Sequence, residues 1–234
     1  RIVPALSRTT LRRNNRIFQH LSIPDIAKKL LADWEIEPLL ELDNAAFPKL
    51  DYRVQYGETD FVFLSRLLEE AGISYYFRAP EPGSEAPSKL VLVAEPSATE
   101  SRGSLLYINN LEQAKGVDAI THVKVSHQVR PGRVTLRDHD FRRRPDFQLI
   151  ADAKCNLDTE NRYESYHYSP GAFVIDPGRV DEKEGKTLAG KRLDAARQGR
   201  RRVLFQTTAL PISPGDVFSI DAHPRADLSP DKRL

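Results

Sequence analysis

Methionine is absent from the 234 residues, cysteine occurs once, and no apolar run approaches the length of a bilayer crossing. Each absence excludes something. A helix needs about 20 consecutive apolar residues to span hydrocarbon, so no transmembrane segment is expected. No apolar core behind a short basic start marks a removable secretion signal in this stretch. Cys155 alone closes no internal disulfide and supplies no zinc site by itself. Lacking a start residue, the chain is expected to be an excerpt. Charge of one sign is missing too. Thirty-five Lys and Arg offset 33 Asp and Glu to leave +2, too little to imply nucleic acid or an anionic membrane as partner. What is present is 40% hydrophobic and 29% charged residues, enough for real cores beneath a solvated surface. Collagen, coiled coil and wholesale disorder fall away on composition, and the length suits one large or two modest domains.

Catalytic motifs are equally scarce. None of His20, His122, His127, His139, His167 and His223 shows HExxH spacing. His122 and His127 are an odd number of residues apart, so on one regular strand they face opposite sides. The Asp138-His139-Asp140 triplet has metal-ligand chemistry, but a hydrated loop is the favoured reading. Cys155 and His167 could be imagined as a thiolate and base. No cysteine-nucleophile signature surrounds Cys155, and a buried, inert thiol is favoured. There is no GxSxG elbow and no Walker or dinucleotide glycine pattern. Glu69, Glu70, Asp181, Glu182 and Glu184 fall on a helix end and a loop, where a solvated face explains them better than a pair across a cleft. The arginine runs 142–144 and 200–202 are expected to be solvated or subunit-facing, since phosphate binding wants a broader uncompensated field. No catalytic, cofactor-binding or metal residue is assigned, and no cofactor.

The periodicities predict an α+β chain with a strong β share. Residues 1–13 read as a strand or strand pair. Ser22 or Pro24 opens a helix carrying Ile26, Leu30, Leu31 and Trp34 on one face. A strand over 50–56 leads through Gly57 into a second helix started by Thr59. Its inward residues are Phe61, Leu64, Leu67, Leu68 and Ala71, and Gly72 stops it. Residues 73–77 and 90–93 read as paired strands around a solvated loop, 80–88. Residues 96–103 read as irregular and 141–168 as mixed and polar. Alternation from Val117 to His127 predicts a strand, with Pro131-Gly132 turning into an antiparallel return over 133–137. A third helix over 187–198 places Leu188, Leu193 and Ala196 inward. Strands over 203–209 and 217–222 flank a turn at 211–215.

One block is more specific. Arg53 to Phe77, RVQYGETDFVFLSRLLEEAGISYYF, reads as strand, tight turn, amphipathic helix and aromatic strand. It closely resembles the signature of VgrG proteins, the trimeric spike of the bacterial type VI secretion system. Three further pieces agree in order. These are Arg16-Ile-Phe-Gln19 with Ser22-Ile-Pro-Asp-Ile26, Tyr168-Ser-Pro-Gly171, and residues 210–218 followed by His223-Pro224. The resemblance implies a fold like the contractile-phage baseplate hub, two tail-tube-type β-barrel modules with an inserted helix-containing α/β region. Residues 1–22 and 116–150 are expected in the first barrel, 23–115 in the insertion and 151–234 in the second barrel. It implies a homotrimer whose ring docks on the hexameric tube protein, Hcp, with effectors or adaptors held by regions outside this chain. Such a spike is assembled in the bacterial cytoplasm and then ejected into the target cell or medium. The family normally begins with more strands of the first barrel. It continues past the position of Leu234 into an oligonucleotide-binding-type barrel and a β-helical needle, so neither piercing nor an effector activity is carried to these residues.

Subunit surfaces favour aromatics and arginine. Tyr75, Tyr76 and Phe77 are suitable material, although core burial is the favoured reading for Tyr75 and Phe77. A phage or phage-like baseplate hub is the nearest rival reading. A hydrolase using Cys155 with His167 or the carboxylates, and a nucleic-acid binder using the arginine runs, stand further off.

Overall fold

The computed structural model describes residues 3–80, 83–110, 116–144, 146–176, 179–210 and 212–228. Its opening residues depart from the expected strand. Ala5–Thr10 winds into a 3-10 turn, because the Thr9 and Thr10 hydroxyls each donate to the carbonyl three residues back at 2.7 Å. Strand β1 (Arg13–Leu21) follows and pairs antiparallel with β3 (Leu50–Thr59), from Arg13 opposite Thr59 to Leu21 opposite Leu50.

Helix α1 (Ile23–Ala32) is capped by Ser22, whose Oγ accepts from the Asp25 amide and donates to its carboxylate at 2.6 Å. Ile26, Leu30 and Leu31 are fully buried, but Trp34 lies beyond the helix end. A short strand, β2 (Leu39–Glu41), comes next, and β3 leads into helix α2 (Asp60–Ala71). Thr59 caps α2 and Gly72 ends it in the left-handed region, at φ 69°. The buried face is Asp60, Phe63, Leu64, Leu67, Leu68 and Ala71. Phe63, four residues before Leu67, is fully buried, while Phe61 sits at the edge of the stripe and is only half-buried.

Strands β4 (Ser74–Arg78) and β5 (Lys89–Val93) pair antiparallel as expected, and β2 joins β5 in parallel. Phe18 of β1, both helices and Leu90 and Leu92 of β5 enclose the first core, in which the Phe18 and Phe63 rings stack at 5.5 Å.

A strand missed in the sequence, β6 (Ser101–Tyr107), begins inside the stretch read as irregular. With β7 (Ala119–His127), β13 (Arg201–Thr207) and β14 (Val217–Asp221) it forms a sheet of order β13-β7-β6-β14. The closing strands therefore lie at opposite edges rather than pairing across their turn, whose Pro211 falls outside the described residues. His122, at φ 54°, makes a bulge where Leu204 faces Lys124 but Gln206 faces Thr121.

The predicted return of β7 into residues 133–137 is also corrected. Strand β8 (Arg133–Asp138) exists but belongs to another sheet. There it pairs antiparallel with β9 (Leu149–Lys154) and parallel with β10 (Glu164–Tyr168), both within the stretch read as mixed and polar. The turn is held elsewhere. The Gly132 amide donates to the Tyr163 carbonyl at 3.1 Å, and the Cys155 amide donates to the Gly132 carbonyl at 2.8 Å. Gly132 also lies so close to the backbone of Glu160, in short helix α3 (Asp158–Asn161), that no Cβ fits between them.

After a small ribbon of β11 (Val174–Asp176) and β12 (Arg179–Val180), helix α4 (Glu182–Arg197) starts five residues earlier than expected. Asp181 caps it by accepting from the Lys183 amide at 2.8 Å. Gly185, Ala189 and Leu193, at spacing four, are its buried residues, whereas Leu188 and Ala196 are half-buried. They pack on Val134, Leu136, Leu149, Ala151 and Phe173 to form the second core. A Cβ at Gly185 would fall within the fully buried Phe173 ring. Gly185→Ala is accordingly expected to lose about 1–3 kcal/mol to overpacking, against roughly 1 kcal/mol gained in helix propensity. A urea midpoint at or above that of the wild type would show that Phe173 yields.

Candidate assembly surfaces

The sequence places an acid, Asp60, in the apolar stripe of α2, four residues before Leu64. Its carboxylate has no exposed side-chain surface and is surrounded by donors. Arg12 Nε and Trp34 Nε1 donate to Oδ2 at 2.7 and 2.9 Å, and Arg16 Nη2 and Gln55 Nε2 donate to Oδ1 at 2.8 Å each. Both guanidinium groups also donate to Asp33 Oδ2, at 2.6 and 2.7 Å. Arg12 lies over the Trp34 ring, 4.9 Å from its centroid, and Arg16 Nε donates to Gln55 Oε1 at 2.9 Å. Burial pushes the Asp60 carboxyl up. Hydrogen bonds from Gln55, Trp34 and Arg12, with the charge of Arg16, outweigh that and hold it below its ordinary value. The hydrogen bond from Arg12 likewise holds Asp33 down.

The same strand alternation that turns Arg16 and Gln55 inward turns their neighbours out. Ile17, 68% exposed, sits opposite Val54, while Tyr52 and Tyr56 sit opposite Gln19 and Asn15, with Tyr56 82% exposed. The β1–β3 ribbon therefore has an apolar, aromatic outer face backed by a buried ionic clamp. A second face lies on the β8–β10 sheet, opposite α4. There Tyr166 and Tyr168 on edge strand β10 and Ile150 on β9 are exposed beside Arg137. Tyr75 and Phe77, favoured as core, share a face with rings 6.2 Å apart, but Tyr75 is exposed and Phe77 half-buried. Phe77 packs against the first core, which its strand also meets through Ile73 and the partner strand β5, while Tyr75 stays at the rim.

The residues weighed for chemistry stay apart. Cys155 lies at the Gly132 end of β8, half-buried, with Sγ 3.5 Å from both the Leu157 carbonyl and Asn161 Oδ1. His167 is paired opposite Leu136 toward the other end, its Nε2 2.8 Å from Ser165 Oγ. Asp138 is occupied by the amides of His139 and Gly171, at 2.7 and 2.9 Å. Asp140 is held down by hydrogen bonds from Arg142 and by the charge of Arg143. Among the described residues no group of three His, Cys, Asp or Glu is placed to hold a metal ion. Glu70 pairs with Arg53 at 2.6 Å, and Glu69 is exposed. His122 and His127 are both exposed. In the arginine runs, Arg142 pairs with Asp140 at 2.9 Å and Arg144 with Asp146 at 3.8 Å. Arg201 meets Asp227, which the hydrogen bonds donated by Arg225 push down to about 2. The ionic clamp itself was missed in the sequence. Its one signal was an acid on an otherwise apolar helix face.

Among the described residues reactive groups do not converge, while exposed aromatics lie on strands of a braced, β-rich frame. The family described as phage tail baseplate hub (GPD) matches residues 1–233, and the chain belongs to that family. It is 29% identical over 218 residues to the type VI secretion system spike protein VgrG1a of Pseudomonas aeruginosa, and 29% over 232 residues to VgrG4b of the same bacterium. Those stretches take in 91% and 97% of this chain but 32% and 27% of the relatives. Two solved structures share the fold. The E. coli c3393 protein, a type VI secretion component similar to T4 tail proteins, has a TM-score of 0.60 and 17% identity over 96% of this chain and 46% of its own. A tail protein of Neisseria meningitidis has 0.62 and 18% over 91% and 61%. The expected hub-like, β-rich α+β fold and the resemblance to VgrG are borne out, and the family is one of structural hub proteins. No helix among the described residues is long and apolar enough to cross a membrane.

Replacing Asp60 leaves two guanidinium groups short of a buried counter-charge. Asp60→Asn is expected to cost about 3–5 kcal/mol at neutral pH, as for other buried pairs broken on one side. Because the folded carboxyl titrates below its unfolded value of about 3.9, its stabilisation is complete above that value. It is lost as pH falls through the depressed folded value. Urea unfolding against pH should show the wild type and Asp60→Asn converging in acid. Equal stability at pH 7 would contradict the clamp.

Proposed function

We propose that this chain is the hub segment of a type VI secretion spike. In this reading it assembles as a homotrimer, docks its ring on the hexameric Hcp tube and serves effector delivery, with effectors or adaptors held by other regions. The spike assembles in the bacterial cytoplasm and is then ejected. In this reading 116–150 and 151–234 supply the two tube-type modules, joined by the β7–β13 pairing, while residues 1–22 pack with the 23–115 insertion through the β1–β3 ribbon, and β6 of that insertion joins β7. The observation that carries the reading is the outer face of β1–β3, where Ile17, Tyr52, Val54 and Tyr56 stay exposed on strands fixed from behind by Asp60. Exposed aromatic faces on a braced scaffold suit contact between protein chains. The similarity to spike proteins over nearly the whole chain supports the secretion setting. A phage-particle baseplate hub is the second reading, favoured by the family's own description. A β-helical needle downstream on the same polypeptide separates the two.

Analytical ultracentrifugation of the whole protein is expected to show a trimer. Ile17→Glu with Tyr56→Glu should weaken it by tenfold or more, about 1.4 kcal/mol, with monomer unfolding shifted by no more than about 0.5 kcal/mol. A trimer indifferent to both changes, or a wild-type monomer at every concentration, would overturn the assignment.

A further inference from the structure

Where α4 ends, the chain turns into β13 through Gly199, and four arginines gather at that corner. Arg197 donates to Glu160 Oε2 at 2.6 Å and to the Pro131 carbonyl at 2.9 Å, and Arg200 Nε lies 3.5 Å from the same carboxylate oxygen. Neither Arg130 nor Arg202 makes an ion pair among the described residues. Arg130 Nη2 donates to Gln128 Oε1 at 2.6 Å. A Cβ on Gly199 would stand 2.8 Å from Arg130 Nη2 and 3.4 Å from Arg202 Nη2. Both guanidinium groups thus close on the space that a side chain there would fill. The Nε–H group of Arg130 is shut off from solvent without an acceptor.

The Arg130 and Arg202 guanidinium groups lie closer together than the Debye length of about 8 Å at physiological salt, so the solution does not screen them from one another. The C-terminal end of α4 attracts positive charge, but with only about half an elementary charge. One shared carboxylate and that partial charge leave the corner electropositive. Forked donors meeting at a point with no side chain are what a phosphate or carboxylate group requires. The expectation for the 200–202 run, a solvated or subunit-facing stretch, omitted Arg130, which only the fold brings to it.

We propose that Arg130 and Arg202 beside Gly199 form an oxyanion-binding site for a phosphate or carboxylate group. The site does not depend on the assembly reading. Thermal unfolding of the protein is to be followed in sodium phosphate, sodium succinate and sodium chloride at matched ionic strength. A saturable rise of about 3–6 °C at tenfold saturation, in phosphate, succinate or both but not in chloride, is expected for the wild type. Which anion produces it identifies the group preferred. Arg130→Gln and Arg202→Gln should abolish the rise while being at least as stable as the wild type in chloride, since each removes a like charge. The Gly199 amide resonance should move saturably with the same anion. Equal behaviour in all three salts, a rise retained in both variants, or variants less stable in chloride would overturn the proposal, the last by making the arginines structural.

Discussion

A carboxylate sealed from water is tolerated only where donors replace its hydration, and Asp60 is met on every side. Arg12 just before β1, Arg16 within it, an amide from β3 and an indole from beyond α1 converge on an acid at the first turn of α2. A two-stranded ribbon is marginal by itself. The clamp fixes β1 and β3 relative to both helices, and with them the direction in which Ile17 and Tyr56 point. A hydrophobic replacement of similar shape could be as stable. Directional hydrogen bonds add something apolar packing does not, which is a single register for the ribbon.

Elsewhere close backbone approach takes over from charge. Gly132 admits the Glu160 backbone and Gly185 admits Phe173, so β8 and α4 settle against their neighbours without intervening side chains. The result is two apolar cores and a small third cluster around Ile120, Phe218 and Ile220. Edge strand β10 stays free to present Tyr166 and Tyr168. Unpaired edges and exposed aromatics are hazards in an isolated globule and useful features in a component that meets other chains.

Local signals were legible where they were self-contained. Ser22 and Thr59 capped the expected helices, Gly72 ended α2, and β4 met β5 across the loop. Partnering was not legible. Pro131-Gly132 looked like a hairpin turn, but the amide bonds of Gly132 and Cys155 draw β8 into a different sheet. Strands β6, β9 and β10 escaped notice because polar residues interrupt their apolar alternation, as Ser165 and His167 do on the inward positions of β10. Trp34 and Phe61 were placed by helical spacing alone, yet the helix stops at Ala32 and Asp60 takes a place on the buried face of α2. The outer aromatic face of the ribbon was hidden as well, since exposure depends on what covers a strand. The family resemblance carried the fold further than periodicity did, because its ordered motifs encode those long-range pairings together.

Hydrogen exchange on the wild type and Asp60→Asn tests the clamp most directly. If Asp60 fixes the ribbon to the helices, amides of β1, β3, α1 and α2 lose protection in the variant, while those of β8, β9 and α4 keep theirs. Unchanged protection in β1 and β3, or an equal loss throughout the chain, would contradict that account.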